Sequence, residues 1–203
     1  MDDYTCFAKL YDPMIGPFLK PIHRALIAEL SSLQCHKITD LCCGTGLMAG
    51  MISDAGMKAV GVDLSQSMLR VARKKHPAVT FLDGDATSLI FSDDEFDAAT
   101  ISFALHERPE PIAFGVLKEA QRVVKPGGII LVADYRQPAS MHSPWTGWAV
   151  TTVERLAGKN HYAHYKKYME RGGTESMLIR AGLAGKLATT FMNGWVGLYI
   201  HQI

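Results

Sequence analysis

The stretch ITDLCCGTGLMAGMIS, residues Ile38 to Ser53, decides the fold. A short apolar run ends at two cysteines, the chain turns through Gly44 and Gly46, and a segment of helical spacing follows. In a parallel sheet, such a turn places backbone amides and a helix N-terminus at the carboxyl edge, where open α/β folds bind ligands. Glycine at the turn lets a ligand approach the main chain, because a Cβ atom there would collide with it. The same pattern also occurs as a purely structural tight turn.

Length and charge favour one soluble domain. The 203 residues carry 21 basic and 20 acidic side chains, a balance that argues against nucleic acid or an anionic membrane as the main partner. No stretch approaches the roughly 20 apolar residues that cross a bilayer. The start MDDYTC carries acids where a signal peptide carries basic residues. We therefore expect a cytoplasmic protein with a small-molecule ligand and no stable membrane insertion.

Short apolar runs alternate with segments of helical spacing along most of the chain. This alternation predicts an α/β fold with a Rossmann-like, mostly parallel sheet and helices on both faces. Predicted strands cover residues 37–42, 59–62, 79–82, 96–102 and 128–134, and predicted helices cover residues 47–54, 65–75 and 111–124. Asn193 and Gly194 separate two late apolar runs, 187–191 and 195–201, and this predicts a hairpin. The sheet then has seven strands, of which the last is antiparallel.

Acids follow two further strands. Asp63 ends the second strand, 17 positions beyond Gly46, near the ~20-residue spacing at which an acid binds ribose hydroxyls. Asp85 follows the third strand, where a carboxylate could accept a hydrogen bond from an exocyclic amine and the Ala86 amide could meet a ring nitrogen. Each acid alone is also typical of a turn. Together, the three strand ends predict a nucleoside lying across one edge of the sheet.

The segments DLCCGTG, GVDLS, GDAT, FDAATISFALHE and RVVKPGGIILVAD, in this order, resemble the class I S-adenosylmethionine-dependent methyltransferases. The resemblance is strongest to the methyltransferase type 11 branch, which includes the ubiquinone and menaquinone biosynthesis enzymes. It spans residues 37–134 and, more loosely, FAKLYDPM near the start. It implies methyl transfer from S-adenosylmethionine to a small-molecule acceptor, for example an aromatic or quinone-like one, with S-adenosylhomocysteine as product. The cofactor-binding residues that it implies are Tyr11, Asp40, Gly44, Thr45, Gly46, Asp63, Leu64, Asp85, Ala86, Ser102 and Phe103.

One departure from the family pattern concerns Cys42, which stands where the first of three alternating glycines is usual. The four cysteines have neither the spacing of a zinc site nor that of a disulfide framework. We interpret them as small, reduced and mostly buried residues rather than nucleophiles.

The sequence pattern divides the single domain, residues 1–203, into four parts. These are an N-terminal helical cap (1–33), a cofactor-binding core (34–136), a substrate lid (137–180) and the C-terminal hairpin (181–203). The aromatic and basic side chains of NHYAHYKKYM, with Trp145 and Trp148 upstream, suit a flat acceptor with a polar or anionic group. An amphipathic helix with one wet face is the alternative interpretation of this segment.

His106 is the candidate catalytic residue, just past the fourth strand. A sulfonium methyl donor is already activated, so transfer needs chiefly orientation, exclusion of water and a nucleophile in its reactive protonation state. An imidazole could accept a proton from the acceptor or hydrogen-bond to it. Capping or packing is the alternative role for His106, and Glu107 is expected to be a solvated surface acid.

No metal site is predicted, because His142, His161 and His164 lack a carboxylate in register. Two other functions remain open. A nicotinamide-dependent oxidoreductase shares the glycine turn and the acid, but the GDAT and KPGG segments favour the methyltransferase. A cofactor-binding module without turnover is the second, since fold and function separate readily. The acceptor, the methylated atom and the oligomeric state are not encoded in these motifs.

Overall fold

A computed structural model describes residues 8–138 and 144–203 as one seven-stranded sheet flanked by helices. The strands are β1 (Lys37–Leu41), β2 (Lys58–Asp63), β3 (Thr80–Asp83), β4 (Phe96–Ser102), β5 (Val124–Tyr135), β6 (Lys186–Phe191) and β7 (Val196–Gln202). The helices are α1 (Ala8–Ser32), α2 (Leu47–Asp54), α3 (Gln66–Lys75), α4 (Glu110–Val123), α5 (Pro144–Leu156), α6 (Lys159–Glu170) and α7 (Gly173–Arg180).

The strand order, β3-β2-β1-β4-β5-β7-β6, confirms the predicted Rossmann-like sheet. Strands β1 to β5 pair in parallel, and β7 runs antiparallel to both of its neighbours, β5 and β6. The connection order reverses between the adjacent strands β1 and β4. The carboxyl ends of these two strands therefore border the switch point at which open α/β sheets bind ligands.

The predicted boundaries differ most at β5, which begins at Val124 rather than at residue 128. The Pro126-Gly127-Gly128 segment, which lies between the predicted helix 111–124 and the predicted strand 128–134, is part of a bulged strand, because Phe96 pairs with Val124 and Ala98 pairs with Ile129. Gly127 adopts a φ of 82° there, and its N–H donates to the carbonyl of Ile203 at 2.9 Å. Ile203 thus pairs with a segment that the sequence indicated only as the connection from helix to strand.

The predicted hairpin forms between β6 and β7 through a short 3-10 turn, Met192–Gly194. Asn193 and Gly194 adopt φ values of 53° and 88°, the left-handed conformation that an Asn-Gly pair favours. The helix start predicted at Ser65 is also present. The Ser65 hydroxyl accepts a hydrogen bond from the Met68 N–H at 3.2 Å and caps α3.

The N-terminal helix α1 packs against α2 and α3. It contains three prolines, each of which removes a backbone donor from the helix interior. Apolar side chains at four-residue spacing, Ile22, Leu26 and Leu30, are buried and hold the helix on the core. Among the described residues, no helix is long and apolar enough to cross a membrane.

Candidate functional site

Asp63 ties the loop after β1 to the end of β2. One carboxylate oxygen accepts a hydrogen bond from the Gly44 N–H at 2.8 Å, and the other accepts one from the Ser65 N–H at 2.8 Å. Burial raises the pKa of Asp63, and the two amides act to lower it. The acid holds the two loops in register, while each oxygen keeps a further lone pair for a ligand.

The two glycines of the loop are explained by different structural reasons. Gly44 has a φ of +53°, and a Cβ atom built there meets none of the described residues within 4 Å. The described part of the chain therefore leaves the space in front of Gly44 open, which fits the predicted approach of a ligand to the main chain. Gly46 has a φ of +75°, and a Cβ atom there would lie 2.6 Å from Cζ of Phe81. Packing against β3 is thus sufficient reason for glycine at position 46.

Asp40 is an acid buried within β1, only 1% exposed. One of its oxygens accepts a hydrogen bond from the Thr100 hydroxyl at 2.8 Å, whereas Oδ2 has no hydrogen-bond partner of good geometry among the described residues. Burial raises the pKa of Asp40 to about 7, although the Thr100 hydroxyl and the Ala49 amide act to lower it. A buried acceptor without a partner is costly, and a cationic or N–H group of a bound ligand would relieve that cost.

Two non-glycine residues at adjacent strand ends have left-handed backbone conformations: Cys42 after β1, with a φ of 59°, and Phe103 after β4, with a φ of 52°. Such residues cost about 1–2 kcal/mol each and cluster at functional sites. Cys42 therefore keeps the conformation of the glycine that it replaces. Burial raises the pKa of Cys42 to about 12, so its thiol is protonated at neutral pH. This supports the interpretation of Cys42 as a small, unreactive residue.

The remaining predicted cofactor residues lie at the same edge. Leu64 exposes 63% of its surface beside the end of β2, and an exposed apolar side chain there suits contact with a flat ligand. Asp85 is exposed and closes its own turn by accepting hydrogen bonds from the Thr87 N–H and hydroxyl, both at 2.8 Å. Ala86 and Thr45 are buried. Ser102 ends β4 and is half-buried.

Tyr11 lies in α1, but its side chain is outside the described residues. The described members of the set fit a nucleoside with cationic groups. They offer an open glycine, an acid with free lone pairs at the end of β2, and a buried acid in β1 that lacks one partner. We refer to Asp40, Gly44 and Asp63 as the cofactor edge.

A second set of polar side chains, centred on the buried His106, lies at the carboxyl ends of β4 and β5. His106 is 3% exposed, and its Nδ1 atom lies 2.6 Å from Oδ1 of Asp134 at the end of β5. Its Nε2 atom lies 3.4 Å from Oε2 of Glu154 in α5. The other oxygen of Asp134 accepts a hydrogen bond from the Leu105 N–H at 2.9 Å. Asp134 therefore fixes both the imidazole and the loop that carries it.

Helix α6 completes this arrangement through His161. Its Nε2 atom lies 2.6 Å from Oε2 of Glu154, and its Nδ1 atom lies 3.6 Å from Oε2 of Glu107. The other oxygen of Glu154 accepts a hydrogen bond from the Tyr135 hydroxyl at 2.8 Å. We call His106, Asp134, Glu154 and His161 the His106 cluster.

The expectation that Glu107 is a solvated surface acid is wrong. Its side chain is only 17% exposed, and it pairs with Arg108 as well as facing His161. The physical reason is that α6 packs over the loop after β4, so a residue that follows a strand end is covered by a distant part of the chain.

The charges of the His106 cluster depend on one another. Burial alone would lower the pKa of His106, but Asp134 and Glu154 hold it well above its usual range. Burial would raise the pKa of Glu154, but hydrogen bonds from His106 and His161 hold it well below its usual range. The two buried carboxylates therefore require positive charge on the imidazole side.

Aromatic rings and cations surround the cluster. The rings of Tyr135 and Phe103 stand edge-on to His106, with centroids at 4.7 and 6.5 Å. Nearby, a cavity of about 380 Å³ has a basic lining that includes Arg108, Lys167, Arg171 and Arg180. Glu110 is also in the lining and pairs with both Arg171 and Arg180. The surroundings combine flat apolar surface with positive charge.

The sequence prediction missed two members of the cluster. Asp134 follows the same rule as Asp63, an acid at the carboxyl end of a parallel strand, so the pattern could have indicated it. Glu154 had no such signal, since it lies in a helix that the sequence did not define. Of the three histidines considered for a metal, His161 joins the cluster, His164 lies elsewhere on α6 and His142 is outside the described residues.

Comparisons with known proteins agree with this geometry. A family model described as a methyltransferase domain matches residues 38–128. A demethylmenaquinone methyltransferase from Renibacterium salmoninarum is 38% identical over 139 residues, which cover 68% of this chain and 58% of that protein. Another from Beutenbergia cavernae is 36% identical over 192 residues, which cover 87% of this chain and 77% of that protein. The chain thus spans less than two thirds of the length of the first of these relatives.

A solved structure of magnesium protoporphyrin IX methyltransferase from Synechocystis, with bound S-adenosylhomocysteine, shares the fold. Its TM-score is 0.61 at 16% identity, over 90% of this chain and 82% of that one. The relative from Beutenbergia cavernae carries the similarity beyond the core to most of the chain. The chain belongs to the class I S-adenosylmethionine-dependent methyltransferases, in the branch that includes the demethylmenaquinone methyltransferases.

Proposed function

We propose that this protein transfers a methyl group from S-adenosylmethionine to a small-molecule acceptor. The observation that carries the proposal is the cofactor edge, in which Asp63 links the glycine loop to the end of β2 beside Gly44, where the described residues leave open space. When bound, S-adenosylmethionine supplies a methyl group on a sulfonium centre, which an acceptor nucleophile can displace in line.

The residues of the cofactor edge support this assignment by their chemistry. Asp63 has lone pairs left for ribose hydroxyls, and the unpartnered oxygen of Asp40 suits the positive charge of the cofactor. Leu64 and Ala86 would contact the flat base, and Asp85 would accept a hydrogen bond from its amine. These roles follow from the family pattern and from the position of each residue at one edge of the sheet.

For the acceptor, we propose an aromatic, quinone-like molecule that carries a polar or anionic group. The relatives are named demethylmenaquinone methyltransferases, and the rings of Phe103 and Tyr135 offer flat apolar surface beyond β4. The basic lining of the 380 Å³ cavity suits an anionic group. Helices α5, α6 and α7 would act as the lid that excludes water from this side. His106 remains the candidate catalytic residue there; because its pKa is held well above the usual range, the imidazole would hydrogen-bond to the acceptor rather than accept a proton from it.

Calorimetric titration tests the cofactor. We expect wild type to bind S-adenosylmethionine and S-adenosylhomocysteine in preference to NADH. In Asp63→Ala the affinity should fall by roughly 10²-fold, because two charge-assisted hydrogen bonds that shape the site are lost. Asp83→Asn is the matched control, since Asp83 is an exposed acid at the end of the neighbouring strand β3. Preference for NADH would contradict the proposal and favour an oxidoreductase.

Turnover tests the acceptor. Wild type is incubated with S-adenosylmethionine and a demethylated naphthoquinone in its electron-rich quinol form, and the products are identified by mass spectrometry. A methylated product is expected from the quinol and not from an aliphatic alcohol of similar size. Cofactor binding without turnover on a panel of quinols, catechols and phenols would contradict methyl transfer to aromatic acceptors and favour a binding module.

A further inference from the structure

Three side chains of the His106 cluster present one ligand atom each to a common point. His106 follows β4, Glu154 lies in α5 and His161 lies in α6, and their donor atoms all lie within 4.8 Å of one another. The atoms are two imidazole Nε2 atoms and a carboxylate oxygen that faces both, at 3.4 Å from His106 and 2.6 Å from His161. Two histidines and one glutamate form the protein ligand set of open zinc sites.

A carboxylate lies beside Nδ1 of each imidazole, and the one beside His106 is within hydrogen-bond distance. Nδ1 of His106 lies 2.6 Å from Asp134, and Nδ1 of His161 lies 3.6 Å from Glu107. Histidines that bind metals usually donate the other ring N–H to a carboxylate or a carbonyl, which fixes the tautomer. Both rings therefore direct Nε2, the remaining nitrogen, towards Glu154.

Charge also favours a cation at this point. The side chains of Asp134 and Glu154 are 0% and 5% exposed, and their partners in the cluster are the imidazoles. Burying a carboxylate is costly unless hydrogen bonds or an opposite charge compensate it. A divalent cation between Glu154 and the two imidazoles would supply such a charge.

We propose that His106, Glu154 and His161 bind one divalent cation of the zinc class. Donor atoms of a tetrahedral zinc site lie about 3.3 Å apart, given bonds of about 2.0–2.1 Å. The distance of 3.4 Å from Glu154 to His106 is already close to this value, and the distance of 2.6 Å from Glu154 to His161 must lengthen by roughly 0.7 Å. The two imidazole donors lie within 4.8 Å of each other, so they need to approach by at most about 1.5 Å. The fourth position is left for water or an acceptor oxygen. His106 then acts as a ligand through Nε2.

Cation binding is a property separate from methyl transfer, so the affinity for Zn²⁺ can be measured without cofactor or acceptor. The full chain is stripped with a chelator and titrated with Zn²⁺ against a chromophoric competitor. We expect one equivalent to bind tightly in wild type and at least roughly 10²-fold more weakly in His161→Gln. His161 is chosen because it is the most exposed of the three ligands, so its replacement is compatible with folding.

His164→Gln is the matched control on the same helix and should bind Zn²⁺ as wild type does. Glu154→Gln provides a second test that keeps the side-chain size, and circular dichroism melts confirm that each variant is folded. Co²⁺ should give the strong visible absorption of a tetrahedral site in wild type and lose it in His161→Gln. Stoichiometry well below one, or equal affinity in wild type, His161→Gln and Glu154→Gln, would overturn the proposal. The His106 cluster would then not be a metal site.

Discussion

The cofactor edge and the His106 cluster lie at neighbouring strand ends but are built differently. At the cofactor edge, Asp63 bonds to backbone amides, and every member comes from β1, β2 or the turn that follows β1. In the His106 cluster, side chains from β5, α5 and α6 meet a loop after β4. Backbone amides are the same in every sequence, whereas side chains can differ between related proteins that act on different substrates. The difference suggests that the first region serves a constant ligand and the second a family-specific one.

The largest effect that we expect concerns Asp40 and the pH dependence of stability. Its pKa is about 7 in the folded chain and about 3.9 in an unfolded one. The folded state therefore holds a proton that the unfolded state has released, and stability falls as pH rises from about 4 to about 7. Asp40→Asn cannot ionise, so at pH 8 its free energy of unfolding should exceed that of wild type by up to about 4 kcal/mol.

Urea denaturation at several pH values between 5 and 8 measures this effect. Asp83→Asn, which removes an exposed acid, should follow the wild-type profile. Parallel profiles for wild type and Asp40→Asn would show that Asp40 stays ionised throughout. We also expect Asp40→Asn to bind S-adenosylhomocysteine more weakly than wild type, because the cofactor edge would then lack an acid that its ligand neutralises.

The second prediction separates the two regions. His106→Gln should lower turnover by roughly 10²-fold, about 2.7 kcal/mol, while the affinity for S-adenosylhomocysteine stays at the wild-type value. The change removes a member of the His106 cluster and touches no residue of the cofactor edge. Calorimetry and a turnover assay on the same preparation measure both quantities. Unchanged turnover would show that His106 takes no part in catalysis, and a parallel loss of affinity would show that the regions are not independent.

The same contrast explains what the sequence could predict. Gly44, Asp63 and Asp85 follow successive strands at regular spacing, and parallel strands bring their carboxyl ends to one edge, so their proximity could be derived from the pattern. Five strands of the sheet followed from the alternation of apolar runs with segments of helical spacing, and the last two followed from the hairpin signal at Asn193 and Gly194. Glu154 and His161 lie in helices after β5, and only tertiary packing brings them to His106. No periodicity encodes that meeting, which is why the His106 cluster was not predicted and Glu107 was misplaced.

The third prediction tests whether the cofactor edge depends on backbone rather than side-chain groups. Ser65→Ala removes the hydroxyl that caps α3 but keeps the N–H that donates to Asp63. We expect a loss of about 1 kcal/mol in the free energy of unfolding. Cofactor affinity should not change. Ser65→Thr keeps a capping hydroxyl and is the control. A fall in affinity with Ser65→Ala alone would mean that the hydroxyl itself contributes to the site.

The smallest effect is expected at Cys42, where a left-handed backbone carries a side chain. Cys42→Gly relieves about 1–2 kcal/mol of strain, and the greater freedom of glycine in the unfolded chain returns about 0.5–1 kcal/mol of it. Some apolar contact is also lost, so the net gain in stability should be at most about 1 kcal/mol.

Cys43→Gly is the matched control, because Cys43 is buried and does not have a positive φ. It should lose about 2 kcal/mol, since burial is forfeited and no strain is relieved. Thermal melts of both variants measure the difference. Equal losses would mean that the thiol of Cys42 contributes to packing as much as that of Cys43, and that the left-handed turn is formed without strain.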